Sequence, residues 1–402
     1  MTKHHIPDKA PAALAISGTA KAAALVAAVV GVGAFGYALQ SGHADTAWSG
    51  YLMGAFFTLS LGVFGVLWLA WLYLGKATWS VSMRRIPEAM TAWLLPGGIL
   101  AMLVGLGGHT LYHWTHLEVV QADRLLSHKA PFLNMTMFYL LIGGSVVIWQ
   151  VFGRALVRNS RLQDETGKAG LHRSSVRLSA LFAVLFALTY SVVSFYLLMS
   201  LDAHWFSTMF AVLTFTDAVQ TGTAFVAIIV ATFILQGQLK GYLNENHLHS
   251  LVKMMFAATG FWSYIYFCQF LLIWYGNIPE ETIYFINRWD HGWLPYLLIL
   301  PAVKFVIPFI YLAPRASKRN PKRVIFMAVL LLFAQFWELY VLVRPAVSHG
   351  AERPHGAPPI MEGLITLGFL GLFFLVFAWA LGRSKPVPLK DPYLRECLDY
   401  HL

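Results

Sequence analysis

The amino-acid sequence predicts an all-α polytopic membrane protein of about ten helices, and three observations carry that prediction. First, 58% of the 402 residues are hydrophobic and only 12% are charged. A soluble domain carries roughly 25% charged residues, so a chain with half that share turns much of its surface to lipid. Second, apolar runs of the roughly 20 residues needed to cross a bilayer recur along the chain. Third, the lysines and arginines gather in every second connection between those runs, the pattern of the positive-inside rule.

The elements follow in order. Lys3, Lys9 and Lys21 flank or open the first run, 18–40. The start, MTKHHIPDKAP, lacks the basic segment, short apolar core and small-residue cleavage site of a signal peptide, so the first helix is expected to insert uncleaved. The second run, 47–74, is followed by Lys76, Arg84 and Arg85, and the third, 87–111, ends in GGHTLYHWTH. The fourth, 131–157, leads into the most basic connection, with Arg154, Arg158, Arg161, Lys168, Arg173 and Arg177. This stretch, GRALVRNSRLQDETGKAGLHRSSVR, is amphiphilic enough for a short surface helix. The tight turn LMSLDAHW joins the fifth run, 175–200, to the sixth, 205–235. Lys240 precedes and Lys253 lies in the opening turns of the seventh, 248–275, and GNIPEETIYFINRWDHG leads from it to the eighth, 292–312. Arg315, Lys318, Arg319, Lys322 and Arg323 precede the ninth, 325–343. RPAVSHGAERPHGAPP leads to the tenth, 363–381, and Arg383, Lys385, Lys390 and Arg395 follow it.

Of the 29 lysines and arginines, 23 therefore fall on one side. Arg124, Lys129, Arg288, Arg344 and Arg353 fall on the other, and Lys304 lies inside the eighth run. The split places both termini in the cytoplasm. It makes the net charge of +10 a topology signal, with a lipid bilayer and not nucleic acid as the expected surroundings. The connections are too short for a soluble catalytic domain, so one membrane domain over 1–402 is expected. The two cysteines, Cys268 and Cys397, belong to a span and to the tail, at different depths, and are not expected to pair. The chain has no CxxCH and no CxxC cluster, so neither a c-type haem nor an iron–sulfur cluster is expected on it.

The residues that could carry chemistry are ionisable groups at membrane depth, which are costly there unless paired or hydrated. Asp217 sits in VLTFTDAVQTGT, Lys304 in LLILPAVKFVIPF and Glu338 in LFAQFWELYVL. One reading is a proton path. The other is a structural ion pair between helices, Lys304 with Glu338 or with Asp217. Thr214, Thr216, Gln220, Thr221 and Thr223 flank Asp217, Gln335 precedes Glu338 by one turn, and Tyr190, Ser191, Ser194 and Gln269 lie on neighbouring runs. Such side chains extend a relay or hold helices together. Pro301 and Pro308 bracket Lys304, and each frees a backbone carbonyl four residues earlier. A broken helix at membrane depth lines a cavity or a protein interior, which turns Lys304 inward.

At the third run's end, His109 and His113 are spaced i, i+4 and are expected on one helix face, with His116 following. That spacing could hold a metal, but interfacial histidines titrating near neutral pH are the favoured reading. In LMSLDAHW, Asp202 and His204 could pass a proton to the outer side, while capping of the next helix by Asp202 is the plainer alternative. Trp48, Tyr51, Trp114, Trp205, Trp274, Tyr275, Trp289 and Trp293 read as an aromatic belt at one interface, and Trp79 and Tyr242 at the other.

Several stretches together carry a family resemblance: WSVSMRRIPEAM (79–90), GGHTLYHWTH (107–116), KAPFLNMTMFYLL (129–141), RNSRLQDETG (158–167), SFYLLMSLDAHWFSTMF (194–210), FWSYIYFCQFLLIWYGNIPEET (261–282) and VPLKDPYLRECLDYH (387–401). The chain resembles the smaller, ActF-type membrane subunit of bacterial alternative complex III, within the wider NrfD/PsrC-like superfamily, from the second helix to the tail. The resemblance implies two four-helix bundles, approximately 47–200 and 205–343, flanked by helices at approximately 18–40 and 363–381. It implies a bacterial inner-membrane complex that oxidises menaquinol or ubiquinol and reduces a cytochrome c or an associated terminal oxidase. The implied partners are a multihaem cytochrome c subunit, an iron–sulfur subunit and a larger homologous NrfD-like membrane subunit. The haem c and iron–sulfur clusters would sit in those partners and no cofactor in this chain. The family's clearest quinol site lies in the larger homologue, and proton half-channels are the candidate role here. Two other readings stand beside it, a secondary transporter and a purely structural anchor.

Overall fold

The computed structural model of the protein describes residues 14–348 and 359–401. Lys3, Lys9, Arg353, the start MTKHHIPDKAP and most of the connection before the last helix lie outside them. Ten helices are long and apolar enough to cross a membrane, and no β-strand occurs among the described residues. They are α1 Gly18–Gln40, α2 Ala44–Leu74, α3 Arg85–Leu111, α4 Met135–Thr166, α5 Ala169–Leu201, α6 Met209–Leu235, α7 Glu245–Gly276, α8 Leu294–Leu312, α9 Pro321–Val347 and α10 Ile360–Gly382. Each of the ten apolar runs corresponds to one of them. The protein is an all-α polytopic membrane protein.

Helices α2–α5 form one bundle, α6–α9 a second, and α1 and α10 flank them as a pair. The two bundles meet along α2, which packs on α5, α6, α9 and α10 and is enclosed along its whole apolar length. Glycine permits the closest approaches. A Cβ on Gly31 of α1 would lie 2.5 Å from the Gly368 Cα of α10, and one on Gly222 of α6 would lie 2.1 Å from the Phe64 ring of α2. In lipid such contacts supply the dispersion energy that water exclusion cannot.

Three expectations change. The basic connection after the fourth run is no surface helix. Instead α4 runs on to Thr166, and Gly167, in the left-handed conformation at φ +70°, stops it just before α5 begins. The 32 residues of α4 span about 48 Å, so its last turns stand clear of a hydrocarbon core about 30 Å thick. The helix across 87–111 is interrupted by 3₁₀ turns at Thr91–Trp93 and Val104–Gly107. The aromatic belt is only partly a belt. Trp274, Tyr275 and Trp289 are exposed, whereas Trp114, Trp205, Trp293 and Tyr242 are buried against neighbouring elements.

The tail after α10 folds back over the face that carries most of the lysines and arginines. Asp391 ion-pairs with Arg84, Lys390 Nζ donates to the Glu165 carbonyl, and the His247 ring meets the Cys397 carbonyl at 3.0 Å. Cys397 is buried there and Cys268 is half-buried, and both are free. On the opposite face Arg344 joins Asp45 at 2.9 Å to Glu362 at 3.2 Å, which clamps the ends of α2, α9 and α10 together.

Candidate functional site

The site forms where α6, α7, α8 and α9 converge inside the second bundle. Lys304 is fully buried, in a π-helical turn of α8 at Ala302–Val306. The neighbouring prolines account for that turn. Pro308 has no N–H to offer the Lys304 carbonyl, so that oxygen is free for a partner outside the helix. Gln220 of α6 takes the role, donating from Nε2 at 3.1 Å and also to Thr259 Oγ1 at 3.0 Å. The widened turn aims the Lys304 side chain at α6 and α9.

There Lys304 Nζ donates to Asp217 Oδ1 at 2.5 Å, to Gln335 Oε1 at 2.8 Å and to Glu338 Oε2. Both carboxylates are buried as deeply as the ammonium. Trp262 of α7 donates from its indole to Glu338 Oε1 at 3.1 Å, and its ring lies 5.0 Å from Lys304 Nζ. Asp217, Lys304 and Glu338 thus come together as one cluster, with both expected ion pairs made at once. One ammonium against two carboxylates leaves the cluster one proton short of neutrality. Asp217 Oδ2 and Gln220 Oε1 have no hydrogen-bond partner among the described residues, so the cluster also retains acceptor capacity.

From Glu338 a chain of spaces leads toward the face opposite the basic one. A cavity of about 20 Å³ is lined by Glu338, Gln269, Tyr266 and Tyr284. That is room for one water. Tyr284 also lines a wider pocket of about 380 Å³, together with His113, Asp202, His204, Asn287 and Ser348. Burial pushes the Tyr284 phenol up, so it stays protonated as a neutral hydrogen-bonding group. Its ring stacks on Trp205 with centroids 4.2 Å apart, and the Arg288 guanidinium lies over the ring at 3.6 Å. Arg288 is buried and bonds to residues that line both spaces. It donates to the Tyr284 carbonyl at 3.0 Å, to the Leu342 carbonyl at 3.1 Å and to Asp202 Oδ2 at 3.0 Å.

The pocket rim differs from the expected arrangement. Asp202 and His204 both line the pocket but turn to different partners. Asp202 holds Arg288 and does not cap α6, whose N-cap is Thr208. His204 pairs with Asp123 at 2.6 Å. His109 and His113 do not share a helix face, because the helix ends at Leu111 and Tyr112 is extended. His109 faces His116, with ring centroids 5.1 Å apart, while His113 turns into the pocket. Among the described residues no three histidine, cysteine or carboxylate side chains gather as a metal site. The accessory polar residues divide. Thr216, Thr221 and Thr223 bond back to carbonyls of α6, and Ser191 to one of α5. Thr214 bonds Ser194, and Tyr190 bonds the Thr214 carbonyl, so these join helices.

The His204 side chain, with the amides of Leu126 and Leu125, holds the Asp123 carboxyl below its ordinary value of 3.8. A carboxyl depressed in the folded state contributes stability that is complete above its unfolded value and lost as pH falls through the folded one. Acidification below about pH 4 is therefore expected to lower Tm in the wild-type protein and to lower it less in Asp123→Asn, read from thermal unfolding across pH.

The sequence alone does not single out Arg288, Tyr284 and Trp262. The arginine and the tyrosine stand in the connection before the eighth run, which folds as a short helix, Pro279–Arg288, and the tryptophan stands in an apolar run. A second buried charge cluster is equally inconspicuous there. Arg85 donates to Glu88 at 2.6 Å and to Asp164 at 3.0 Å, while Ser160 donates to Glu88. Its signal is the i, i+3 spacing of Arg85 and Glu88 in RRIPE. No protein-family model matches the chain, and no curated protein matches it.

Proposed function

We propose that the chain is the smaller, ActF-type membrane subunit of an alternative-complex-III-type quinol oxidoreductase, and that its own part is to conduct protons. In this reading it sits in a bacterial inner membrane with both termini cytoplasmic. It holds no redox centre and works beside a multihaem cytochrome c subunit, an iron–sulfur subunit, a larger NrfD-like homologue and, in some complexes, a terminal oxidase. Menaquinol or ubiquinol is the substrate of the complex. The motif set from WSVSMRRIPEAM to the tail supports the assignment.

The observation that carries the proton reading is the charge count at Lys304. A buried cluster with one cation and two carboxylates is unfavourable in low dielectric until a proton joins it. Glu338 faces the one-water cavity, so a proton leaving its carboxyl meets that water, then the Tyr284 hydroxyl region, then the pocket at Asp202 and His204. Asp217 and Lys304 share the remaining proton while Gln335 and Trp262 hold the groups in register. A secondary transporter would need room for a solute at this depth, and the space against Glu338 admits only one water. The family assignment is tested by gentle-detergent purification of the tagged chain from its native membrane. Multihaem and iron–sulfur partners, seen by haem absorbance, iron content and mass, are expected. A colourless, metal-free and well-folded chain would contradict the assignment.

A further inference from the structure

A second pocket, far from the Lys304 cluster, opens on the basic face between the ends of α4 and α10. It measures about 230 Å³, and Arg85, Arg161, Arg383 and Lys385 line it together with Asp164 and Glu165. Four cations against these two carboxylates, and Glu88 paired to Arg85 behind them, still leave a surplus of positive charge. Asp164 is already engaged by Arg85 at 3.0 Å and by Lys385 at 3.9 Å.

These cations are not consumed by the helix ends. The last turn of α10 is closed by the Arg383 and Ser384 amides, and that of α4 by the Gly167 amide and Lys390. Arg161, Arg383 and Lys385 remain exposed. Arg161 reaches only the Ser384 hydroxyl, at 3.3 Å. Behind them Arg85, buried, keeps an Nε–H with no acceptor among the described residues. The depth is fixed by Trp379. Its ring is 55% exposed in the last turns of α10, and the Arg383 guanidinium stacks on it at 4.2 Å. An exposed tryptophan under an arginine marks the headgroup level of a bilayer.

We propose that this pocket binds the phosphate of an anionic phospholipid, with Arg161, Arg383 and Lys385 on the phosphodiester and the acyl chains lying along α10 past Trp379. Basic pockets between transmembrane helices recognise anionic headgroups in this way. The inference is independent of the quinol-oxidoreductase assignment.

The test uses the full chain, delipidated in mild detergent and titrated separately with cardiolipin, phosphatidylcholine and inorganic phosphate, with native mass spectrometry counting bound lipid. Cardiolipin is expected to be retained and phosphatidylcholine not. Millimolar phosphate is expected to leave the lipid in place. The triple variant Arg161→Gln, Arg383→Gln, Lys385→Gln is expected to bind cardiolipin roughly 100-fold more weakly, about a factor of five for each cation. A control variant, Lys253→Gln, Lys322→Gln, Arg323→Gln, removes the same charge from exposed positions elsewhere on that face and is expected to bind as wild type. Thermal unfolding establishes that both variants are folded. Equal cardiolipin binding by the folded triple variant, equal loss in the control, equal retention of phosphatidylcholine, or displacement by millimolar phosphate would each overturn the proposal.

Discussion

Lys304→Met is expected to destabilise the protein by about 3–5 kcal/mol, because it leaves Asp217 and Glu338 buried without the cation that pairs with both. Methionine keeps the length and apolar stem of lysine, so the loss is electrostatic and not a cavity. Neutralising all three groups separates that cost from any role in proton transfer. The variant Asp217→Asn, Lys304→Met, Glu338→Gln buries no charge and is expected to recover most of the lost stability, measured by thermal or denaturant unfolding in detergent. It is not expected to recover proton movement, since neither the two carboxyls nor the ammonium of the cluster remains. If the triple variant is as unstable as the single one, desolvated charge is not what the lysine balances.

The second large effect is expected at Arg288. Its guanidinium joins the Tyr284 and Leu342 carbonyls, whose residues line the Glu338 cavity, to Asp202, which lines the wide pocket. Hydrogen bonds from a charged donor contribute about 1.5–3 kcal/mol each, and Asp202 can hydrate when released, so losing the two carbonyl bonds is expected to make Arg288→Met cost about 3–6 kcal/mol. Its functional effect is larger. A fixed buried cation on a narrow path is an electrostatic barrier to proton leak. Removing it is expected to let proteoliposomes holding the variant dissipate an imposed pH gradient several-fold faster than wild type, followed with an entrapped pH dye. An unchanged leak rate would mean that the two spaces do not communicate past Arg288.

Much of this site is legible in the sequence because lipid makes charge conspicuous. Lys304 is the only lysine or arginine deep in an apolar run, and Asp217 and Glu338 stand out in theirs for the same reason. Pro308 even foretells which carbonyl is free, and Gln220 occupies it. The basic loops predict which connections share a face, and the tail contacts at Arg84, Glu165 and His247 lie together on it. What stays hidden depends on tertiary pairing. Arg288 and Asp202 look like loop residues until the turn between α5 and α6 meets the segment before α8. Trp205 looks like a belt residue until it stacks on Tyr284, and Trp293 until it packs against Tyr340 of α9. His109 and His113 share a face only if the helix continues, and an extended Tyr112 ends it. Arg85 reads as a topology signal, which conceals its buried network with Glu88 and Asp164.

The most direct test of the central claim is the proton yield of the reconstituted complex when Glu338 is replaced by Gln. The amide oxygen can still accept from Lys304 or from Trp262, one of the two bonds being lost because the NH2 is a donor, and Lys304 with Asp217 remains a neutral pair, so the fold is expected to hold. Quinol oxidation is followed in proteoliposomes with a proton ionophore to measure electron transfer, and without it to measure protons released per quinol. The account predicts electron transfer near the wild-type rate with the ionophore, and a proton yield reduced to what quinol oxidation itself liberates. A wild-type yield above that value which survives Glu338→Gln unchanged would contradict it.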